Sequence, residues 1–238
     1  MLTVWRKAFA ELLGTALLVA TVVGSGIAAE RLSPDDVGQQ LLENSLVTGA
    51  ALTALILALG PVSAAFNPVV TLAERALGAI SSRDAVVFIA AQLSGGALGC
   101  VLANLMFDLS AINLSEHDRS GGGLWLGEVV ATFGLLLVIF GVVRSGRAHL
   151  VSFAVGGYIT AAYWFTSSTS FANPAVTLAR TLSDTFAGIA PGSVTGFVAM
   201  QLLGAALGVG AVVLLYPNAR EVAQEVAHLD HIPDQGRG

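Results

Sequence analysis

The sequence repeats itself once, and each copy carries three apolar runs long enough to cross a bilayer. A spanning helix needs about 20 apolar residues. Six runs qualify, at roughly 8–29, 44–60, 85–107, 124–143, 148–166 and 193–216. The fifth is the most polar, because it holds Thr160, Tyr163 and Thr166. Ala10-Glu11-Leu12-Leu13-Gly14-Thr15 in the first run echoes Gly127-Glu128-Val129-Val130-Ala131-Thr132 in the fourth. Ala91-Gln92-Leu93-Ser94-Gly95-Gly96-Ala97-Leu98-Gly99 in the third echoes Met200-Gln201-Leu202-Leu203-Gly204-Ala205-Ala206-Leu207-Gly208 in the sixth. Three spans per copy is odd, so the second copy must sit upside down relative to the first, about a pseudo-twofold axis in the membrane plane. Composition agrees: 55% of residues are apolar and 11% charged, against about 25% charged in soluble domains. The expected fold is an all-α membrane protein with six transmembrane helices and an inverted 3+3 repeat. The amino-terminal run is too long for a signal-peptide core and reads as a retained span. A net charge of −5 gives no basic field for nucleic acid. The single cysteine, Cys100, has no partner for an intrachain disulfide and packs as a small apolar residue.

Between spans, each copy carries a further apolar stretch too short to cross. The first runs Phe66-Asn67-Pro68-Val69-Val70-Thr71-Leu72-Ala73, and the second Ala172-Asn173-Pro174-Ala175-Val176-Thr177-Leu178-Ala179. Asn as N-cap followed by Pro at the first helical position marks a helix start. These stretches end near Gly78 and Leu182. A short capped helix at membrane depth must be buried in protein or line a water-filled cavity, so both read as re-entrant half-helices. Each copy then runs Glu span, span, Asn-Pro half-helix, Gln span.

Lys and Arg in the connections set the orientation. With the amino terminus inside, the inner set holds Arg6, Lys7, Arg75, Arg83, Arg144, Arg147, Arg220 and Arg237; the outer set holds Arg31, Arg119 and Arg180. Both termini are therefore expected to be cytoplasmic. Residues 217–238 read as a polar, solvated cytoplasmic tail, with a short helix over 219–229.

Two half-helices entering from opposite faces bring their amino ends together near the midplane. Each end carries a partial positive charge of roughly +0.5, so the pair repels cations and protons. Asn67 and Asn173 would cap the two helices through their side-chain oxygens and turn their NH2 groups toward the lumen. Glu11 and Glu128 lie inside spans, where a carboxylate is costly. Their symmetric placement favours a structural role, accepting hydrogen bonds from the irregular backbone before each half-helix, over proton carriage. Gln92 and Gln201 read as polar contacts between helices.

These features resemble the aquaporin and aquaglyceroporin (major intrinsic protein) family over nearly the whole chain, to about Tyr216. The family's paired Asn-Pro-Ala motifs match Asn67-Pro68-Val69 and Asn173-Pro174-Ala175, with Val69 a departure. The resemblance implies an aquaporin-like right-handed bundle over 1–216, with a first repeat at about 8–107 and a second at about 124–216. It also implies a passive channel, a multi-pass place in a bacterial-type inner or plasma membrane, a homotetramer, and no cofactor, metal or enzymatic activity. Family members carry a four-position outer selectivity filter whose most informative residue, after the second motif, is usually arginine; here it is Val176. Loop matching places Thr48, Thr160 and Thr169 at the other three positions, with Val47, Ala161 and Ser170 as the ungapped alternatives. Such a filter is wider and uncharged. A bacterial branch linked to arsenic detoxification resembles this chain in that valine and in Ser170-Phe171-Ala172-Asn173-Pro174-Ala175-Val176 and Asp184-Thr185-Phe186-Ala187-Gly188. The implied permeants are arsenite as neutral As(OH)3 and methylarsenicals, with glycerol and water as general ones.

Three other readings compete. A coupled transporter also uses inverted repeats and broken helices, but only Glu11 and Glu128 are available to bind ions within the spans. A membrane enzyme finds no nucleophile–base pair there, since His117, His149, His228 and His231 lie in loops and the tail; His228 and His231 near Asp230 form only a weak metal-like pattern. A structural or adhesive protein on the same fold would pass no small solute.

Overall fold

The computed structural model describes residues 3–227. Its helices in chain order are α1 (Val4–Leu32), α2 (Val37–Leu59), α3 (Pro68–Ala76), α4 (Ser82–Met106), α5 (Gly122–Arg144), α6 (Val151–Phe165), α7 (Pro174–Ala179), α8 (Pro191–Leu215) and α9 (Ala219–Ala227). Among the described residues there is no strand. Five helices, α1, α2, α4, α5 and α8, are long and apolar enough to cross a membrane. The sixth long element, α6, has 15 residues and is extended at its start by a 3-10 turn over Ala148–Leu150. The second span begins earlier than the hydropathy pattern indicates. Asp36 caps it by accepting a hydrogen bond from Gln39 N at 2.9 Å, and Gln40 and Asn44 in its opening turns are buried against α1 and the loop after it.

Helix pairs α1 with α4 and α5 with α8 make close crossings, one in each repeat. Small residues permit them, as expected where close backbone approach replaces hydrophobic pressure. A Cβ on Gly95 would overlap the carbonyl oxygen of Leu12, and one on Gly99 that of Ala16. In the second repeat a Cβ on Gly204 would lie 2.6 Å from the Val129 carbonyl oxygen. Helices α2 and α6 cross on an alternating Gly–Thr seam in which Gly49 faces Thr160 and Gly156 faces Thr53. The repeats also trade volume near the half-helices. Gly14 leaves room for the Phe66 ring, whereas the matching places in the second repeat hold Ala131 and Ala172.

The start of the tail departs from the expected solvated appendage. Helix α9 is amphipathic, and Ala219, Val222, Ala223 and Val226 are buried against α3 and α5. Its charged residues Arg220, Glu221 and Glu225 face outward. The polarity that marked this stretch as solvated belongs to one face only. His228, Asp230 and His231 lie outside the described residues.

Replacing Gly95 by Val should force α4 away from α1 and cost about 1–3 kcal/mol. Gly210→Val in α8 meets open space and should cost far less. Thermal unfolding of the detergent-solubilised protein checks this, and equal melting points for the two variants would contradict it.

Candidate functional site

Two half-helices, α3 and α7, meet by their amino ends inside the bundle. Pro opens each, and the preceding Asn caps it from an extended conformation. Asn67 Oδ1 accepts from Val69 N at 3.1 Å, and Asn173 Oδ1 accepts from Ala175 N at 2.9 Å and Val176 N at 3.2 Å. The amide nitrogens then cross the pseudo-twofold axis. Asn67 Nδ2 donates to the Ala172 carbonyl and Asn173 Nδ2 to the Phe66 carbonyl, each at 2.8 Å. An amide NH2 has two N–H donors, so each Asn keeps one beyond this reciprocal bond. Both Asn side chains line the central cavity.

The residues presenting those carbonyls are held in an unusual conformation. Phe66 has φ +46° and Ala172 φ +47°, the left-handed region that non-glycine residues enter at a cost of about 1–3 kcal/mol. The buried carboxylates offset it. Glu11 accepts from Ala65 N (2.9 Å), Phe66 N (2.7 Å) and Ser63 Oγ (2.5 Å). Glu128 accepts from Phe171 N and Ala172 N, both at 2.9 Å. A glutamine then ties each carboxylate to its half-helix: Gln92 Nε2 donates to Glu11 (2.8 Å) and to Thr71 Oγ1 (2.9 Å). Gln201 Nε2 donates to Glu128 (2.6 Å) and to Thr177 Oγ1 (2.8 Å). Glu11, Glu128, Gln92 and Gln201 are all 0% exposed. The carboxylates therefore have the surroundings of loop anchors. Sequence reasoning missed the threonines, although Thr71 and Thr177 occupy the same place in the two Asn-Pro stretches.

A cavity of about 880 Å³ passes the paired asparagines. Residues of both loops before the asparagines, 63–66 and 170–172, line it. Of the four expected filter residues, Thr48 and Val176 line the cavity and Thr160 and Thr169 do not. Thr48 is 2% exposed and its hydroxyl accepts from Tyr163 at 3.4 Å, whereas Val47 is 46% exposed on the outer surface of the bundle. Thr160 is committed to helix packing, donating to the Gly156 carbonyl at 2.9 Å and to the Ser45 carbonyl at 3.4 Å. Its neighbours on the lumen side of α6 are Ile159 and Tyr163, and Ala161 is exposed. Thr169 and Ser170 both have positive φ, +61° and +52°, and it is Ser170 that reaches the cavity. A loop that turns through two left-handed residues does not follow the alternation assumed in a linear alignment.

Two buried ionisable residues on the lining were not singled out. Glu74 on α3 is 5% exposed, and Arg180, directly after α7, is 2% exposed. Arg180 counts as a loop charge in the orientation rule, yet it is buried. The signal was present as helical spacing: Asn67, Val70 and Glu74 stand three and four apart, as do Asn173, Val176 and Arg180.

Glu128→Gln should place an amide NH2 against loop N–H groups and the Gln201 NH2. Loss of charge-assisted hydrogen bonds to a buried loop costs roughly 2–4 kcal/mol. The expected outcome is a lower yield of folded protein and a lower melting point, read by fluorescence-detected size exclusion. Normal folding with solute flux that has merely lost its pH dependence would instead indicate proton carriage.

Comparison with known proteins agrees with this geometry. The family profile described as "Major intrinsic protein" matches residues 1–162. The chain is 47% identical over 223 residues to "Aquaglyceroporin AqpS" of Rhizobium meliloti (strain 1021), covering 93% of this chain and 95% of that protein. It is 29% identical over 243 residues to "Probable aquaporin AqpM" of Archaeoglobus fulgidus, covering 90% and 97%. The X-ray structure of the aquaglyceroporin from Plasmodium falciparum superposes with a TM-score of 0.70 at 21% identity, over 91% of this chain and 99% of that one, a likeness of fold. Six long helices, two opposed half-helices with reciprocally bonded asparagines, and full-length similarity lead to one assignment: the chain belongs to the major intrinsic protein family, whose members are channels rather than enzymes.

Proposed function

We propose that the protein is a passive channel for small neutral solutes, with arsenite as As(OH)3 and methylated arsenicals among its permeants beside glycerol and water. The observation that carries this reading is the cavity passing the paired asparagines, with Val176 rather than a donor-bearing side chain at the position after the second Asn-Pro-Ala motif. A neutral polyhydroxylated solute gives up water on entering and recovers hydrogen bonds from the remaining Asn N–H groups and from loop carbonyls. The apolar faces of Val176 and Ile159 match its less polar side. A cation cannot recover its hydration there, because it would face two helix amino ends in a medium of low dielectric constant. The filter in this reading consists of Thr48, Tyr163, Ser170 and Val176, with Thr160 supporting it through the α2–α6 packing. The sequence similarity to a protein named aquaglyceroporin supports glycerol and water as permeants.

The same reading places the protein in a bacterial-type plasma membrane with both termini cytoplasmic, on the Lys and Arg bias of the connections. Residues 1–216 form the channel and 217–238 a cytoplasmic tail whose first turns cap α3 and α5. It assembles as a homotetramer with one pore per subunit, and the many exposed leucines of the spans face lipid or neighbouring subunits.

Val176→Arg should narrow the lumen and cut glycerol and arsenite flux about tenfold or more while sparing water, since a steric barrier of about 1.4 kcal/mol is tenfold in rate. Stopped-flow light scattering on proteoliposomes checks it, and unchanged arsenite flux would place Val176 away from the constriction. Asn67→Asp or Asn173→Asp sets a carboxylate against the helix amino ends. Both variants should admit monovalent cations, and conductance equal to wild type in each would show that the asparagines are not luminal.

A further inference from the structure

The lumen-facing stripes of the two half-helices are built to one register, and each ends in an ionisable residue of opposite sign. Asn67, Val70 and Glu74 line the cavity from α3; Asn173, Val176 and Arg180 line it from α7 and the turn after it. Because α3 and α7 run outward from the midplane in opposite directions, Glu74 stands toward one mouth and Arg180 toward the other. We propose that Arg180 is the fixed cation of the outer arm and is the residue by which that arm discriminates against positively charged solutes. The inference rests on the channel reading above and adds to it a specificity residue.

Several contacts hold the guanidinium in place. Arg180 Nε donates to the Ala187 carbonyl, and the guanidinium carbon lies 3.5 Å from the centroid of the Phe171 ring, a cation–π stack. Arg119 reinforces the same wall: it donates to the carbonyls of Gly188 (2.7 Å) and Phe186 (3.0 Å) and lies 5.2 Å from the Phe171 centroid. Three successive carbonyls, 186–188, thus each receive an arginine N–H. Phe171 is in turn fixed by its own N–H on Glu128 and by an edge contact to Phe197 at 5.1 Å. Among the described residues no carboxylate is hydrogen-bonded to Arg180, so its charge is not cancelled by a contact partner. The field reaches the loop beyond: burial first, then the charges of Arg119 and Arg180, push the His117 imidazole below its usual range.

A unit charge on the wall of a narrow lumen outweighs the helix-end partial charges within its own arm, because Coulomb energy falls with distance and is weakly screened at low dielectric constant. Val176 therefore widens the outer arm, and Arg180, one turn further out, keeps it positive. Pore width and pore charge, which one residue could have set together, are set by two.

The test compares Arg180→Met and Arg180→Lys with wild type in proteoliposomes, reading glycerol flux and potassium flux in parallel. Arg180→Met should retain glycerol flux and raise potassium flux about tenfold or more; Arg180→Lys should exclude potassium as wild type does. A purely structural arginine predicts loss of stability in both variants with no selective cation leak, and that result would overturn the proposal. Loss of the channel reading itself would show as absent glycerol flux in wild type, which keeps the two failures distinct. If Arg180→Met does not fold, wild-type proteoliposomes are treated with 2,3-butanedione and the adducts mapped by peptide mass. An adduct on Arg180 accompanied by a potassium leak supports the assignment. An Arg180 adduct without a leak, or an Arg180 that stays unmodified while other arginines react, overturns it.

Discussion

The structure depends on holding two helix amino ends, with unpaired N–H groups and left-handed loop residues, in the middle of an apolar bundle. At that depth the backbone has no lipid partner, so each polar group must be bonded within the protein or face the lumen. Glu11 and Glu128 meet that demand by accepting the loop N–H groups before each Asn, and Gln92 and Gln201 link each carboxylate to a threonine on its half-helix. The asparagines then close the arrangement by bonding across the axis to the carbonyls that the strained residues present. Each repeat therefore anchors its own half-helix and supplies the partner carbonyl for the other. Neither loop is complete alone.

Much of this was legible in the chain. The odd number of spans per repeat forces the inversion, the Asn-Pro pairs mark the half-helices, and a matched intramembrane glutamate and glutamine in each copy point to a structural network. What was not legible has specific physical causes. Loop matching put Thr160 at the lumen, but its hydroxyl serves the close α2–α6 crossing that Gly49 and Gly156 permit. Thr169 and Ser170 exchange roles because two consecutive positive φ values rotate the loop. Helix α9 was read as solvated because charge on one face of a short helix masks the apolar face that docks. Arg180 was hidden by the assumption that arginines near the ends of spans sit in loops.

The two repeats are alike in hydrogen bonding and unlike in what they present to the lumen. Positions matched by the repeat carry Phe66 and Ala172, Gly14 and Ala131, and Glu74 and Arg180. The first two pairs are local packing solutions, a ring seated over a glycine in one repeat and two alanines in the other; the last reverses charge, so the two arms of the lumen differ electrostatically on a near-symmetric frame. In the proposed reading, scaffold and selectivity are carried by different residues of the same short stretch.

The central claim is passive conduction of neutral solutes, arsenite included, through the lumen between the two asparagines. The most direct measurement is the initial rate of arsenite entry into proteoliposomes over a wide concentration range, with and without pH and sodium gradients. The account predicts a rate linear in concentration, indifferent to either gradient, and matched by glycerol entry in the same vesicles. A saturating rate, or accumulation above equilibrium driven by protons or sodium, would contradict it.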